Sequence, residues 1–172
     1  IYIGSGTESN QLIVLKDIIK YKKEIKEYIE SNKFILATGN SFELFGKTIN
    51  DNKALGIFDY KAKTNINRLV GDIIAKCSFI NKNIIGFINQ SGIIEDNNNP
   101  MFKVIKGSIK SDGLNYKNFY GTYLLGPILV RNPMFHKYTI NSLLKSKNIK
   151  PKKIDLKLDE EAYEIYMNTY HS

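Results

Sequence analysis

Tryptophan is absent, cysteine occurs once, histidine occurs twice, and no apolar run approaches the length that crosses a bilayer. The lone Cys77 excludes an intramolecular disulfide and fits a reducing, cytoplasmic setting. One cysteine with His136 and His171 gives no metal-ligand spacing, so no metal site is read. A phosphate-cradling loop is unsupported too: Gly4-Ser5-Gly6 is glycine-rich, but neither a complete G-x-G-x-x-G nor a Lys-Ser/Thr ending follows it. A secretory signal peptide is not expected, and no cofactor is indicated.

What is present is ordinary globular usage: 42% apolar and 24% charged residues over 172 positions, which suits one compact domain spanning the whole chain. The net charge of +8 raises nucleic acid as a partner. The lysines are scattered among asparagine and isoleucine rather than gathered with aromatics into a stripe, so no nucleic-acid binding is read. The Lys, Asn and Ile enrichment looks like compositional bias of a whole genome. The chain opens at Ile1, without a methionine and already inside the apolar stretch Ile1-Tyr2-Ile3, and residues are expected to precede it.

A strand fragment at Ile1–Ile3 runs through Gly4-Ser5-Gly6-Thr7-Glu8 into a stretch from Gln11 to Lys33 with helical spacing, as one helix or two. Its apolar face is expected to comprise Leu12, Leu15, Ile18 and Ile19, then Ile25, Tyr28 and Ile29. Phe34-Ile35-Leu36-Ala37 reads as a buried parallel strand entering the turn Thr38-Gly39-Asn40-Ser41 before the helical Phe42-Glu43-Leu44-Phe45. Strand, tight turn and helix is the order of a doubly wound sheet, whose sites form at strand carboxyl ends. Short strands are then expected at Leu55–Tyr60, Leu69–Phe79, Ile84–Asn89, Phe102–Ile105 and Phe119–Leu125, with a polar loop at Glu95–Pro100. Helices follow from about Pro133 to Lys145 and from Asp159 to Tyr170, the second with acidic residues in its first turn.

Six motifs in order carry a family resemblance: Ile3-Gly4-Ser5-Gly6-Thr7-Glu8, Gly39-Asn40-Ser41-Phe42-Glu43-Leu44-Phe45-Gly46, Leu55-Gly56-Ile57-Phe58-Asp59, Arg68-Leu69-Val70-Gly71-Asp72, Gly86-Phe87-Ile88-Asn89-Gln90 and Gly121-Thr122-Tyr123-Leu124-Leu125-Gly126-Pro127. Together they resemble class I glutamine amidotransferase domains: those of cobyric acid synthases (CobB/CobQ-like) and, more closely, GatD-type subunits of lipid II isoglutaminyl synthase. The resemblance implies a three-layer, flavodoxin-like α/β fold with a mainly parallel sheet and an antiparallel portion from the middle strands. It also implies a strand and helix ahead of Ile1, a Mur-ligase-like (MurT-type) partner subunit, and glutamine as the family's substrate in peptidoglycan amidation.

Members of that family hydrolyse glutamine at a cysteine on a strand-to-helix turn reading C-G-G-Y-Q-L-L-G, where helix amides face the developing oxyanion. Alignment on Leu44-Phe45-Gly46 places Gly39 at the nucleophile. A one-residue slip places Thr38 there, whose hydroxyl without an adjacent base is a poor nucleophile. The base motif G-T-Y-L-H-G-P has Leu125 in place of histidine, and G-F-E-N-H has become Gly86-Phe87-Ile88-Asn89-Gln90. Losing either the nucleophile or the base of such a pair costs orders of magnitude in rate, so the chain is read as a pseudoenzyme.

The resemblance carries over Gly4, Gly6, Asn40, Arg68 and Gln90 as substrate-side positions, the Gly4–Gly6 loop matching the one that supplies an oxyanion-hole amide. Arg68 reads equally as a ligand contact or as a structural ion pair. Cys77, in an apolar strand, reads as buried and inert, and His136 and His171 read as surface residues. Three functions stay open: a noncatalytic subunit bound to a Mur-ligase-like partner, an active glutaminase with atypical residues, and a stand-alone module that binds an amino acid or amide.

Overall fold

The computed structural model describes residues 1–125, 127–151 and 153–171, the side chains of Tyr170 and His171 excepted. The reading of Gly126 and of the His171 side chain lies outside the described residues. β1 (Tyr2–Ile3) leads through the glycine-rich turn into α1 (Glu8–Ile18), whose N-cap Thr7 accepts from the Asn10 amide at 3.2 Å. One 3-10 turn separates α1 from α2 (Lys22–Glu30), so the long helical stretch is two helices. α1 corrects the expected face. It buries Gln11 and Leu15 while Leu12 and Ile19 stay exposed, because the Gln11 amide is drawn inward to the carbonyl of Asn40 and the carboxylate of Glu43.

β2 (Ile35–Thr38) is four residues buried on every side, the pattern of an interior parallel strand, and a 3-10 helix at Gly39–Phe45 follows it directly. β3 (Thr48–Ile49) and β4 (Asn52–Lys53) form a small hairpin. The expected strand at Leu55–Tyr60 is not one. Leu55 and Tyr60 are buried, but the Leu55 amide donates to Leu44 and the Ile57 and Phe58 amides to Phe45, so backbone donors a ladder would need are spent on the 3-10 helix.

β5 (Lys61–Cys77) and β6 (Ile80–Glu95) make a long hairpin, and β7 (Pro100–Lys106), β8 (Ser111–Tyr116) and β9 (Phe119–Thr122) bring the chain back to the centre. The sheet order is β1-β2-β9-β8-β7-β5-β3-β4, with β6 on β5. β1, β2 and β9 are parallel neighbours, whereas β5 through β9 pair antiparallel. The mixed α/β class is therefore as read, with an antiparallel portion more extensive than the short middle segments suggested. β8 went unread because Ser111-Asp112-Gly113-Leu114-Asn115-Tyr116 lacks apolar alternation.

α3 (Ile128–Arg131), α4 (Pro133–Ser146) and α5 (Lys157–His171) complete the chain. The buried Asn132, between α3 and α4, donates to the Ile85 carbonyl and accepts from the Ile85 amide, both at 2.7 Å, as a neighbouring strand would on β6. The core gathers on aromatic rings: Phe42 lies 4.8 Å from Tyr60 and Phe45 lies 4.7 Å from Phe119, centroid to centroid. No helix among the described residues is long and apolar enough to cross a membrane.

Candidate functional site

The carboxyl ends of the three parallel strands open on one cavity. β2 ends at Thr38, and the chain turns at Gly39 with φ of +64°, a left-handed conformation that glycine adopts without the penalty a Cβ brings. Ser41 staples the turn by donating to the carbonyls of Ile3 and Thr38, at 2.8 and 2.9 Å. The loop after β1 is pinned to it by the Gly6 amide, which donates to Asn40 Oδ1 at 2.9 Å. Beyond β9, the Leu125 amide donates to the Phe87 carbonyl at 2.8 Å, which brings Leu125 to the same place.

Between these ends lies a cavity of about 200 Å³. Gly6, Gly39, Asn40, Arg68, Gln90 and Leu125, separated in sequence, all line it. Gly4 does not; a side chain there would meet Tyr2 instead. Thr38 is also outside the lining, buried in β2 with its hydroxyl 3.2 Å from that of Tyr2, so Gly39 is the residue the turn presents. A Cβ on Gly39 would stand 2.5 Å from Ser5 Cβ and 2.8 Å from Leu125 Cδ2. The space a side chain at residue 39 needs is filled.

Arg68 spans the rim. It donates to Asn89 Oδ1 at 2.7 Å and to Glu8 Oε1 at 3.0 Å, and Ser91 donates to the same Glu8 oxygen at 2.9 Å. The Glu8 carboxyl is held below its ordinary range by its own backbone amide at the start of α1, by Ser91, and by the Arg68 charge. Both partners of this pair are about half exposed, so it orders the rim more than it stabilises the fold. Arg68 is thus ion-paired while also lining the cavity.

Deeper in, Glu43 is buried and accepts from Gln11 Nε2 at 2.9 Å and from the Tyr123 hydroxyl at 2.8 Å. Burial pushes its carboxyl above the ordinary value, opposed by those two donors. Gln90 donates from Nε2 to the Gly92 carbonyl at 2.8 Å, leaving Oε1 buried with no partner among the described residues. Buried Asp112 accepts from the Tyr123 amide at 3.1 Å and from the Thr122 hydroxyl, fastening the end of β9 and the start of the segment after it that carries Tyr123 and Leu125. Desolvation pushes Asp112 up to about 6.

The CobB/CobQ-like glutamine amidotransferase domain matches residues 1–133. The chain belongs to that family. It is 30% identical over 179 residues to the lipid II isoglutaminyl synthase (glutamine-hydrolyzing) subunit GatD of Staphylococcus aureus (strain N315), an alignment covering 97% of this chain and 73% of that protein. The GatD subunit of Streptococcus pneumoniae (strain ATCC BAA-255 / R6) is 28% identical over 159 residues, or 85% of this chain and 61% of that one. Among solved structures, a glutamine amidotransferase superposes with a TM-score of 0.59 at 12% identity, over 86% of this chain and 78% of the other, which bears out the fold.

Several residues that line this amidotransferase-like cavity had no role in the sequence reading, Glu43 and Gly92 among them. In the register that the resemblance implies, Glu43 stands where the motif C-G-G-Y-Q-L-L-G has glutamine, and that departure was the signal. Gly92 had none: a Cβ there would lie 2.1 Å from Glu43 Oε1, a contact made only when β6 crosses the 3-10 helix. Cys77 lies outside the cavity lining at the end of β5, buried, with its thiol pushed up by desolvation. His136, half-buried on α4, does not line it either.

Proposed function

We propose that this chain is a noncatalytic GatD-like subunit that pairs with a Mur-ligase-like protein in the cytoplasmic amidation of lipid II. The observation that carries the reading is the contact between the nucleophile and base positions of the family motifs. Gly39, at the turn, offers no nucleophile, and Leu125 fills the space in front of it with a group that accepts no proton. The fold outlives the chemistry because packing and catalysis draw on different residues.

Co-expression with a Mur-ligase-like protein of the same organism tests the partner, and co-purification is expected. The purified complex should release no ammonia from glutamine above a protein-free blank. Ammonia release that scales with protein concentration would overturn the noncatalytic reading, and failure to co-purify would count against the partner.

A second reading, a module that binds an amino acid or amide, is favoured by the cavity itself, with a buried acceptor on Gln90 that nothing among the described residues satisfies. Under this reading a small ligand raises the melting temperature by mass action, and glutamine and glutamate are the first to try.

A further inference from the structure

From the acceptors left at the base of the cavity we infer that it binds a small primary ammonium group, held by the Glu43 carboxylate and Gln90 Oε1. The inference rests on the site being a binding cavity, and not on the partner or on the loss of catalysis. Two charged groups of the lining already answer each other: Arg68 and Glu8 pair at 3.0 Å. Glu43 has no such answer. Its two donors, the Gln11 amide and the Tyr123 hydroxyl, are neutral, and no cation pairs with it among the described residues. A buried carboxylate without a counter-charge is costly, and either a proton or a cationic ligand relieves it.

Gln90 points to the ligand and not the proton. The Gly92 carbonyl can only accept, so the nitrogen of the Gln90 amide must face it, and the free end is the oxygen. That oxygen belongs to a side chain only 8% exposed, and a buried acceptor without a donor is costly. Both side chains lie against Gly92: Gln90 through its amide nitrogen in that hydrogen bond, Glu43 through the 2.1 Å separation that any Cβ on Gly92 would have from Oε1. An ammonium has three donors and a positive charge, and so serves both at once. The cavity's roughly 200 Å³ holds a handful of heavy atoms, or the end of a longer chain, but not a nucleotide. An anionic headgroup would meet Glu43 and unpaired Gln90 Oε1 with like polarity and is disfavoured.

Titration of the isotope-labelled full chain with ethylammonium chloride, propionamide or sodium propionate at constant ionic strength, followed by amide NMR, tests the assignment. Saturable shifts of the Gln90 side-chain amide and of the Gly39 and Gly92 backbone amides are expected with ethylammonium, and none with propionate. Glu43→Gln, near-isosteric, should weaken ethylammonium at least tenfold with its dispersed spectrum intact. Should that variant not fold, Gln90→Met, which removes the acceptor, should weaken the same ligand at least threefold. Propionamide binding as tightly as ethylammonium overturns the ammonium assignment while the amide-binding reading stands. No saturable shift with any of the three overturns both, and neither result bears on the partner.

Discussion

Leu125 Cδ2 lies 2.8 Å from the point at which a side chain on Gly39 would begin. The two residues, far apart in sequence, therefore compete for one volume, and substitutions at them are coupled. Gly39→Ala should destabilise by about 2–4 kcal/mol, combining a left-handed φ with overpacking. In a Leu125→Ala background the same change should cost at least about 1 kcal/mol less. A double-mutant cycle by urea denaturation measures this, and strict additivity would show that the residues do not share the space.

Gly92→Ala probes the floor of the cavity. Its Cβ would be 2.1 Å from Glu43 Oε1 and 2.4 Å from the Tyr123 hydroxyl, so the buried carboxylate must move. A loss of about 1–3 kcal/mol is expected, with the Tyr123 environment altered in the near-ultraviolet spectrum. Unchanged stability would mean that the strand and the 3-10 helix approach less closely than described.

Asp112 gives stability a pH dependence of known sign. Its carboxyl titrates at about 6 when folded against 3.8 as the ordinary value, so the native state holds the proton more tightly. The associated stability is fully present below about pH 4 and is lost as pH rises through 6, on the order of 2–3 kcal/mol. Asp112→Asn cannot titrate, so the stability difference between wild type and variant should shift against wild type by that amount from pH 4 to pH 7. A difference independent of pH would refute the raised value.

Asn132→Leu should cost about 2–4 kcal/mol, because it strips the Ile85 amide and carbonyl of partners in a site that is 2% exposed. Amide hydrogen exchange should quicken at Ile85 first, and exchange unchanged there would mean water replaces the side chain.

Cys77 is 8% exposed with its thiol raised by desolvation. At pH 7.5 it should react with a disulfide reagent at least about tenfold more slowly than a free cysteine, and at the free rate once urea unfolds the chain. Fast labelling of the native protein would contradict its place in β5.

The motifs marked most of the cavity because each sits at an element end, where glycines and turn residues leave a signature independent of packing. Gly39 is one: a positive φ after a buried strand is a local requirement. Leu55–Tyr60 went the other way. Its apolar residues are buried as a strand's would be, yet its amides bond to the 3-10 helix, and no local pattern reports where a backbone donor finds its acceptor. Gln11 misled for a related reason, since a glutamine is drawn into the core only when a carboxylate and a carbonyl wait there.

By itself the sequence determined the α/β class, the parallel strand entering a glycine turn, and the family motifs, because periodicity, turn chemistry and residue identity are properties of short segments. Only the tertiary structure decided that Leu125 fills the space beside Gly39 and that, among the described residues, Glu43 is buried without a counter-charge and Gln90 keeps a free acceptor. Those are relations between strands distant along the chain, and burial and electrostatic compensation exist only once packing has excluded water.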